Sequence, residues 1–377
     1  MSWLNEMLGK FLAKQISKQE GEPKERFVTI PTIVYGPGTL NKIKYFCEKR
    51  YLDLSSVTTI TGPTTSKYLP DLKNQEVFKL NKDEDHYSIY SRLKTELSRE
   101  KPSLLIGLGG GTKLDLTKIL ATELKIPYIL IPTSLSNDGI ASNFAVSKEK
   151  RATIEVVQAS LIIADYTILK EAEELNKSGL GDVLSNYNAS HDWYIANKNI
   201  GKEKTNFSET IYYILKSISL ICLESSLEKE KISDFIDTLF LSIVGSGACM
   251  NSTGSSICCS GAEHTLEKIL DLKVQHGLAV SALSLPITAL WDRATAKKCA
   301  KALAKHKMPC CLSDLGLSKN EFLEAVKSAT FYRTPKDMGE FDYRQHRYTI
   351  LNQIFEKNPD KLIPKVSKAA EKIGFFK

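Results

Sequence analysis

The sequence lacks the usual marks of a secreted, membrane-spanning or disulfide-stabilised protein. It contains eight cysteines but no Cys-x-x-Cys pair, so neither a zinc knuckle nor a disulfide framework is indicated. It has no signal-peptide core and no run of about 18 apolar residues, so we expect neither secretion nor membrane spanning. The cysteines then fit free thiols in a reducing compartment, and we expect a cytoplasmic location.

The sequence also lacks a block of basic residues interleaved with aromatics. Its net charge of +7 comes from 51 lysines and arginines against 44 acidic residues, spread over 377 residues. Such a mild excess is typical of enzymes that use anions, and we expect no nucleic-acid partner. The 42% hydrophobic and 25% charged residues are typical of a folded soluble protein, whose length predicts two packed domains.

The order of patterns along the chain predicts an α/β domain followed by an all-helical domain. Residues 1–19 have the pattern of an amphipathic helix, which would either dock on the protein or a subunit neighbour, or contact a membrane surface. Short apolar runs then alternate with helical patterns, as in a doubly wound, mostly parallel sheet. These runs lie at 57–61, 104–108, 128–131 and 161–164, and long helical patterns, one of them at 279–304, follow. We predict a helix and linker at 1–25, an α/β domain at 26–170 and an all-helical domain at 171–377.

The first motif that carries chemistry is a glycine-rich turn. The apolar run Leu104–Leu108 leads into Gly109–Gly111 and then into the start of a helix. Glycines let backbone amides approach an anion closely, and a helix N-terminus adds N–H donors, so the turn fits a pyrophosphate cradle. Its spacing is neither that of a P-loop nor that of the usual Rossmann fingerprint, and the alternative is a plain structural turn in which Asp115 and Lys118 form only a surface ion pair.

A polar loop follows the next predicted strand. Residues 132–142 (PTSLSNDGIAS) carry several hydroxyl groups and the carboxylate of Asp138. Because parallel strands bring their carboxyl ends to one edge of the sheet, this loop and the glycine turn are expected to be neighbours. The loop side chains would hold nicotinamide, ribose or a polyol, or would merely cap a helix, and the pairing of two polar strand ends favours binding.

The helical half offers a candidate set of metal ligands. His264 and His276 are close in sequence, and Asp182 precedes a long helical pattern. One carboxylate and two imidazoles with an open position suit a catalytic divalent ion, and the alternative is ordinary hydrogen bonding. His191 is a candidate to support a ligand, whereas His306 lies among charged residues and is expected to be solvated.

Taken in chain order, these motifs resemble those of the glycerol-1-phosphate dehydrogenases. That family belongs to the dehydroquinate synthase and iron-containing alcohol dehydrogenase superfamily. The resemblance covers roughly residues 27–355. The segments that carry it are Gly109–Gly111 with Asp115 and Lys118, and residues 132–142, 181–186, 261–264, 276–277 and 347–351.

The resemblance implies an active site in a cleft between a dinucleotide-binding domain at 26–170 and a metal- and substrate-binding domain at 171–377. The implied metal ligands and catalytic residues are Asp182, His264 and His276. The implied substrate contacts are Asp138, Asp182 and Lys268. The implied cofactor contacts are Gly109, Gly110, Gly111, Thr112, Lys113, Thr133, Ser134, Ser136 and Ser142.

This chain departs from the family pattern near the metal ligands. Lys268 stands where the family usually has a histidine that touches substrate, and lysine can still grip a phosphate. His276 is followed by Gly277-Leu278 rather than Gly-Glu, and the stretch from His264 to His276 is shorter than usual.

The expected reaction is reduction of dihydroxyacetone phosphate, or a related phospho-ketose, to sn-glycerol 1-phosphate or the matching polyol phosphate. Hydride would come from NAD(P)H, and a divalent metal, zinc first and nickel or iron otherwise, would activate the carbonyl. NADH and NADPH both fit, because no acidic residue follows Val57–Thr61 to select a free 2′-hydroxyl. We expect a homo-oligomer. The alternatives are a cyclase of the dehydroquinate synthase type, which returns its NAD unchanged, and a non-catalytic homologue.

Overall fold

The computed structural model describes residues 31–80, 85–147, 152–335, 340–343, 345–352 and 359–377. The amphipathic helix predicted at 1–19 and its linker lie outside these residues.

Six parallel strands form the main sheet of the amino-terminal half, and two further strands form a separate antiparallel ribbon. The strands are β1 (Thr32–Gly36), β2 (Val57–Thr61), β3 (Gln75–Lys79), β4 (Leu104–Gly109), β5 (Tyr128–Pro132) and β8 (Leu161–Asp165), with β6 (Phe144–Ser147) and β7 (Ala152–Glu155) in the ribbon. Strands β2, β4, β5 and β8 are buried along their whole length, as expected where helices cover both faces of a sheet. The predicted α/β class is confirmed.

The strand order is β1-β8-β5-β4-β2-β3. The chain moves from β2 outward to β3 and then returns to the other side of β2 to form β4. The order of strands therefore reverses between β2 and β4, and ligands of open α/β sheets bind at such a point, outside the carboxyl ends of the strands. Gly62, directly after β2, and the glycine turn after β4 both lie there.

Helices accompany the sheet and then form the whole carboxy-terminal half. Those beside the sheet are α1 (Ile43–Lys49), α2 (His86–Arg99), α3 (Gly111–Leu124) and α4 (Tyr166–Glu171). Those that follow are α5 (Glu173–Ile200), α6 (Lys202–Thr205), α7 (Glu209–Glu228), α8 (Ile236–Thr253), α9 (Ala262–Leu270), α10 (His276–Thr288), α11 (Arg293–Lys305), α12 (Lys319–Ala329) and α13 (Pro359–Lys372).

Two stretches of this half are more apolar than we expected. By length and composition, α7 and the segment Ile232–Thr253, which includes α8, are apolar enough to cross a membrane. This finding corrects the expectation that the chain has no such run. Both helices pack against α5 and against each other. The core helices of soluble proteins are also this apolar, and 61% of the apolar window in Ile232–Thr253 and 39% of that in α7 is buried.

Helices α5 and α10 approach each other closely at two glycines. A Cβ atom at Gly277 would lie 1.8 Å from the carbonyl oxygen of Ser178, and one at Gly181 would lie 2.1 Å from the carbonyl oxygen of Gly277. A larger residue at either position would overlap with backbone atoms that have no room to move. The two glycines therefore let the helices approach so closely that side chains from both can share one site.

Candidate active site

Asp182, His264 and His276 come together from three helices. Helix α5 carries Asp182, α9 carries His264, and α10 begins at His276. The Oδ1 atom of Asp182 lies 3.7 Å from Nε2 of each histidine, and the three ligand atoms all lie within 4.8 Å of one another. Ligands about 2.1 Å from a tetrahedral ion are about 3.4 Å apart, so this donor set fits a single divalent ion.

Each imidazole is oriented by a carboxylate that sequence analysis missed. Oε1 of Glu263 lies 2.7 Å from Nδ1 of His264, and Oε1 of Glu267 lies 3.4 Å from Nδ1 of His276. Metal-binding histidines usually present their second ring nitrogen to such an acceptor, which fixes the ring and leaves the other nitrogen for the ion. The only sequence signal was that both glutamates lie within three residues of His264.

The electrostatics of this group favour a bound cation. Burial alone would lower the pKa of His264, but its contacts with Asp182 and Glu263 outweigh burial and raise that pKa to about 10. Burial alone would raise the pKa of Asp182, but the nearby imidazole of His264 and the charge of His276 bring it below its usual value. The carboxylates therefore stabilise positive charge at the histidines, as a metal site requires.

The polar loop meets the three candidate ligands through Asp138. The backbone N–H of Asp138 donates to Oδ2 of Asp182 at 2.9 Å, and Nδ2 of Asn186 lies 3.4 Å from Oδ2 of Asp138. Burial, and then the negative charge of Asp182, raise the pKa of Asp138 to about 8. Asp138, expected to contact substrate, thus lies beside the candidate ligand Asp182.

The glycine turn lies directly against the polar loop, as the topology predicts. The N–H of Thr133 donates to the carbonyl of Gly109 at 3.1 Å. A Cβ atom at Gly111 would lie 2.7 Å from Nδ2 of Asn137, and one at Gly110 would lie 3.3 Å from Oγ of Ser134. Glycine at these positions lets the polar loop pack this closely against the start of α3.

Lys113 extends the turn towards the end of β2. A Cβ atom at Gly62 would lie 3.2 Å from Cε of Lys113, and one at Gly109 would lie 3.2 Å from its Cβ. The side chain therefore runs across the point where the strand order reverses. Thr112, on the first turn of α3, is exposed.

The other predicted cofactor contacts lie deeper in the protein. Thr133, Ser134 and Ser142 are buried, whereas Ser136 is half-buried. The hydroxyl of Ser142 donates to the carbonyl of Gly139 at 2.9 Å, so it is engaged within the loop. The cofactor contacts stay predictions, with Ser136 more accessible than the three buried hydroxyls.

Lys118 is not the surface ion-pair residue that we considered. Its side chain is 1% exposed, and its Nζ donates to the carbonyls of Gly139, Ser142 and Phe144 at 2.7, 3.1 and 2.9 Å. The Oδ1 atom of Asp115 is 4.0 Å from the same nitrogen. Lys118 therefore anchors the polar loop, and its place four residues after the buried Leu114 was the available signal.

Lys268, His191 and His306 differ in exposure and in their contacts. Lys268 is exposed on α9, one helical turn beyond His264. His191 supports no candidate ligand, because its ring stacks on Trp291 with a centroid separation of 3.7 Å. His306 is buried rather than solvated, and its Nε2 lies 2.8 Å from the carbonyl oxygen of Ser226.

The parallel sheet has a glycine-rich turn at its switch point, and the helices that follow bring a carboxylate and two imidazoles together. This combination defines a dehydrogenase of the iron-containing alcohol dehydrogenase superfamily. Residues 34–172 match the family described as iron-containing alcohol dehydrogenase. Glycerol dehydrogenase from Schizosaccharomyces pombe superimposes with a TM-score of 0.66 and 20% identity over 95% of each chain. Sulfoacetaldehyde reductase from Bifidobacterium kashiwanohense, in complex with NAD+, has a TM-score of 0.63 and 12% identity, covering 90% of this chain and 97% of that chain. These likenesses establish the fold.

Sequence relatives identify the family within this superfamily. A glycerol-1-phosphate dehydrogenase (NAD(P)+) from Korarchaeum cryptofilum is 30% identical over 269 residues, which cover 67% of this chain and 81% of the relative. One from Nitrosopumilus maritimus is 27% identical over 354 residues, which cover 90% of this chain and 95% of the relative. The chain belongs to the glycerol-1-phosphate dehydrogenase family and is an NAD(P)-dependent oxidoreductase, as the motifs predict.

Proposed function

We propose that the chain reduces dihydroxyacetone phosphate, or a close phospho-ketose, to sn-glycerol 1-phosphate or the matching polyol phosphate. NADH or NADPH is the reductant, and the metal is zinc, with nickel and iron as the alternatives. The observation that carries this proposal is the meeting of Asp182, His264 and His276 within 4.8 Å of one another, beside the loop that follows β5. Membership of the family supports the class of reaction.

The roles of the residues follow from their contacts. Asp182, His264 and His276 would hold the ion, which would supply Lewis acidity at the substrate carbonyl. Glu263 and Glu267 keep the two imidazoles oriented. Asp138 and Asp182 orient the substrate oxygens.

The loops at the sheet edge position the cofactor, which supplies the hydride. The backbone amides at Gly109–Gly111 and the start of α3 bind its pyrophosphate, with Thr112 and Lys113 beside them. Lys118 anchors the polar loop, which would hold the nicotinamide on one side of the substrate carbonyl. Thr133, Ser134, Ser136 and Ser142 are its predicted contributors.

The proposal also covers the ligands, the assembly and the cellular location of the enzyme. The small phosphorylated substrate is its principal ligand, with no nucleic-acid partner. We propose a homo-oligomer in the cytoplasm, in which residues 1–19 dock on the protein or contact a membrane. The division into domains at about residue 170 belongs to the same proposal.

The test is cofactor turnover by the purified chain. After chelation and reloading with zinc, nickel or iron, we expect NADH or NADPH to be oxidised in the presence of dihydroxyacetone phosphate. The product should resist a dehydrogenase specific for sn-glycerol 3-phosphate, because it is the opposite enantiomer. Asp182→Asn should reduce turnover to the background of the assay and should also lose bound metal.

Two outcomes would contradict the proposal. If no phospho-ketose causes cofactor oxidation with any of the three metals, the assigned reaction is wrong. If substrate is consumed while the cofactor is returned unchanged, the protein is a cyclase.

A further inference from the structure

Three cationic side chains from separate segments lie together next to the candidate metal ligands. We propose that Lys268, Arg333 and Arg347 form the binding site for the phosphate group of the substrate. This inference rests on the proposed function and names the side chains that would select a phosphorylated ketone.

Lys268 belongs to the helix that presents His264. Both lie on α9, and residues four apart on a helix share a face with their Cβ atoms about 5–6 Å apart. Lys268 is exposed, and its flexible side chain can extend from the candidate metal ligands towards solvent. A cation at this place suits a substrate whose carbonyl lies at the metal and whose phosphate lies one helical turn away.

Arg333 and Arg347 are held next to each other through their backbones. The N–H of Arg347 donates to the carbonyl of Arg333 at 3.1 Å. Nδ2 of Asn352 donates to the carbonyls of Arg347 and Tyr332 at 2.7 and 3.1 Å. One amide side chain thus fixes both segments, and the two guanidinium groups start from adjoining positions.

Asp192 joins this pair of segments to the helix that carries Lys268. Its side chain is 2% exposed; Oδ2 accepts from the N–H of Ala262 at 2.7 Å, and Oδ1 accepts from the N–H of Ile350 at 2.8 Å. Ala262 is the first residue of α9, and Ile350 lies three residues after Arg347. Helix α9 also packs against α12, which ends four residues before Arg333. The three cations are therefore arranged by a buried framework.

Carboxylates of the described residues form no close ion pair with this group. Among the residues that the structure describes, no carboxylate lies within 4.0 Å of the cationic nitrogens of Lys268, Arg333 or Arg347. Nη1 of Arg347 donates instead to the neutral carbonyls of Tyr343 and His346, at 3.1 and 3.0 Å.

The positive charges of the three side chains also repel one another. Although the side chain of Lys268 is exposed, the protein around its ammonium group reduces hydration; this loss, and then the charges of Arg333 and Arg347, lower the pKa of Lys268. Burial and Arg333 lower the pKa of Arg347 to about 10. A phosphate would relieve this repulsion, and arginine and lysine are the residues best suited to bind one.

The experiment compares two substrates that differ only in the phosphate. In the metal-loaded enzyme, Lys268→Met and Arg333→Met should each lower kcat/KM for dihydroxyacetone phosphate by about 10–150-fold, the range for a lost hydrogen bond to a charged group. The loss for unphosphorylated dihydroxyacetone should be much smaller. Arg333→Lys should recover part of the loss. The matched control Lys297→Met removes an exposed lysine on α11 and should behave as the wild type.

A binding measurement separates this inference from the proposed reaction. Inorganic phosphate, titrated calorimetrically into the metal-loaded protein, should bind the wild type and Lys297→Met but bind Arg333→Met at least about tenfold more weakly. If the wild type reduces no ketone yet binds phosphate in this pattern, the proposed reaction fails and the anion site stands. Circular dichroism and the melting temperature of each variant confirm that it is folded.

Two results would overturn the site. Either the ratio of kcat/KM for the phosphorylated and unphosphorylated ketones is unchanged in Lys268→Met and Arg333→Met, or these variants raise KM for NADPH and leave that for dihydroxyacetone phosphate unaltered. In the second case the cations serve the cofactor.

Discussion

Glu263 is fully buried and serves several partners at once. Its carboxylate accepts from the N–H of Gly261 at 2.8 Å and from Nδ2 of Asn188, and it contacts Nδ1 of His264. Replacing one oxygen by an amide nitrogen would remove the negative charge and an acceptor without changing the shape of the side chain. The orientation of His264 therefore depends on the charge of a residue that would not itself touch an ion.

We expect Glu263→Gln to weaken metal binding by about 10–100-fold, because partners of metal-binding histidines typically contribute this much. Competition with a chromophoric chelator measures the affinity. Glu267→Gln is the matched control: its partner His276 is 41% exposed at the side chain and the contact is longer, 3.4 Å, so the loss should be smaller. Equal losses in the two variants would contradict this account.

Lys118 is a second buried charged residue, and it supports the polar loop. Lys118→Met would retain most of the buried aliphatic chain but remove the ammonium donor from the carbonyls of Gly139, Ser142 and Phe144, of which Gly139 keeps the neutral donors of Ser142. We expect the free energy of unfolding to fall by about 2–5 kcal/mol, measured by urea denaturation. Lys170→Met, at an exposed position on α4, should change it by less than about 0.5 kcal/mol. A similar small change for Lys118→Met would show that the three bonds do not stabilise the fold.

Residue type predicted the candidate metal ligands better than it predicted the side chains that hold the site in place. Asp182 and the two histidines were identifiable because few side chains bind divalent ions, and motif order added to that signal. Glu263 and Lys118 were not, because glutamate and lysine are usually solvated and only their burial reveals their roles. Burial depends on tertiary packing, which a local pattern does not contain.

Helices α5 and α10 can place Asp182 against His276 only because their backbones nearly touch. Gly277→Ala would bring a methyl group to 1.8 Å from the carbonyl oxygen of Ser178, so one helix must shift. We expect a loss of about 3 kcal/mol or more in the free energy of unfolding, together with weaker metal binding. Urea denaturation and chelator competition measure the two effects.

Gly245→Ala, within α8, is the matched control for this prediction. Its new methyl group would meet Cδ1 of Ile218, the flexible end of a side chain, at 2.5 Å. The higher helix propensity of alanine offsets part of that contact, so we expect a change within about 1 kcal/mol. If Gly245→Ala is as damaging as Gly277→Ala, the close backbone approach is not what matters.

Element boundaries were harder to predict than element types. The apolar runs at 57–61, 104–108, 128–131 and 161–164 predicted β2, β4, β5 and β8 because continuous apolar stretches are typical of buried parallel strands. A helix predicted over 279–304 is instead two, α10 and α11. The Asp292 side chain accepts from the N–H of Thr295 and starts α11, but the helical pattern of apolar residues continues across the break.

At the scale of the whole molecule, the half-buried His191 makes stability depend on pH. Burial, and then the charge of Lys216, lower its pKa from 6.5 to about 4, and its Nδ1 is buried without a hydrogen-bond partner among the described residues. The unfolded chain takes up a proton near pH 6.5, whereas the folded chain resists until about pH 4. Stability is therefore lost as the pH falls from 6.5 towards 4.

We expect the wild type to lose about 2 kcal/mol more than His191→Phe between pH 7 and pH 4.5, because phenylalanine keeps a ring on Trp291 but cannot be protonated. Urea denaturation at both pH values measures the difference. The same loss in the two proteins would contradict this role for His191.

The succession of an α/β half and a helical half followed from the change of period along the sequence, from short buried runs to helical spacing. The strand order and the three-helix meeting point did not, because they arise from contacts between distant segments. Spacing alone did not show that Asp182, His264 and His276 belong to one site. The resemblance of the motifs to a known family predicted that grouping.

The hydrogen bond from the N–H of Asp138 to Oδ2 of Asp182 is a direct link between the two halves of the molecule. Under the proposed function, the loop that would receive the nucleotide is hydrogen-bonded to a candidate ligand of the ion. Thermodynamic reciprocity then applies: whatever factor the dinucleotide contributes to metal affinity, the metal contributes to dinucleotide affinity. Metal affinity measured with and without the dinucleotide therefore also gives the effect of the metal on dinucleotide affinity.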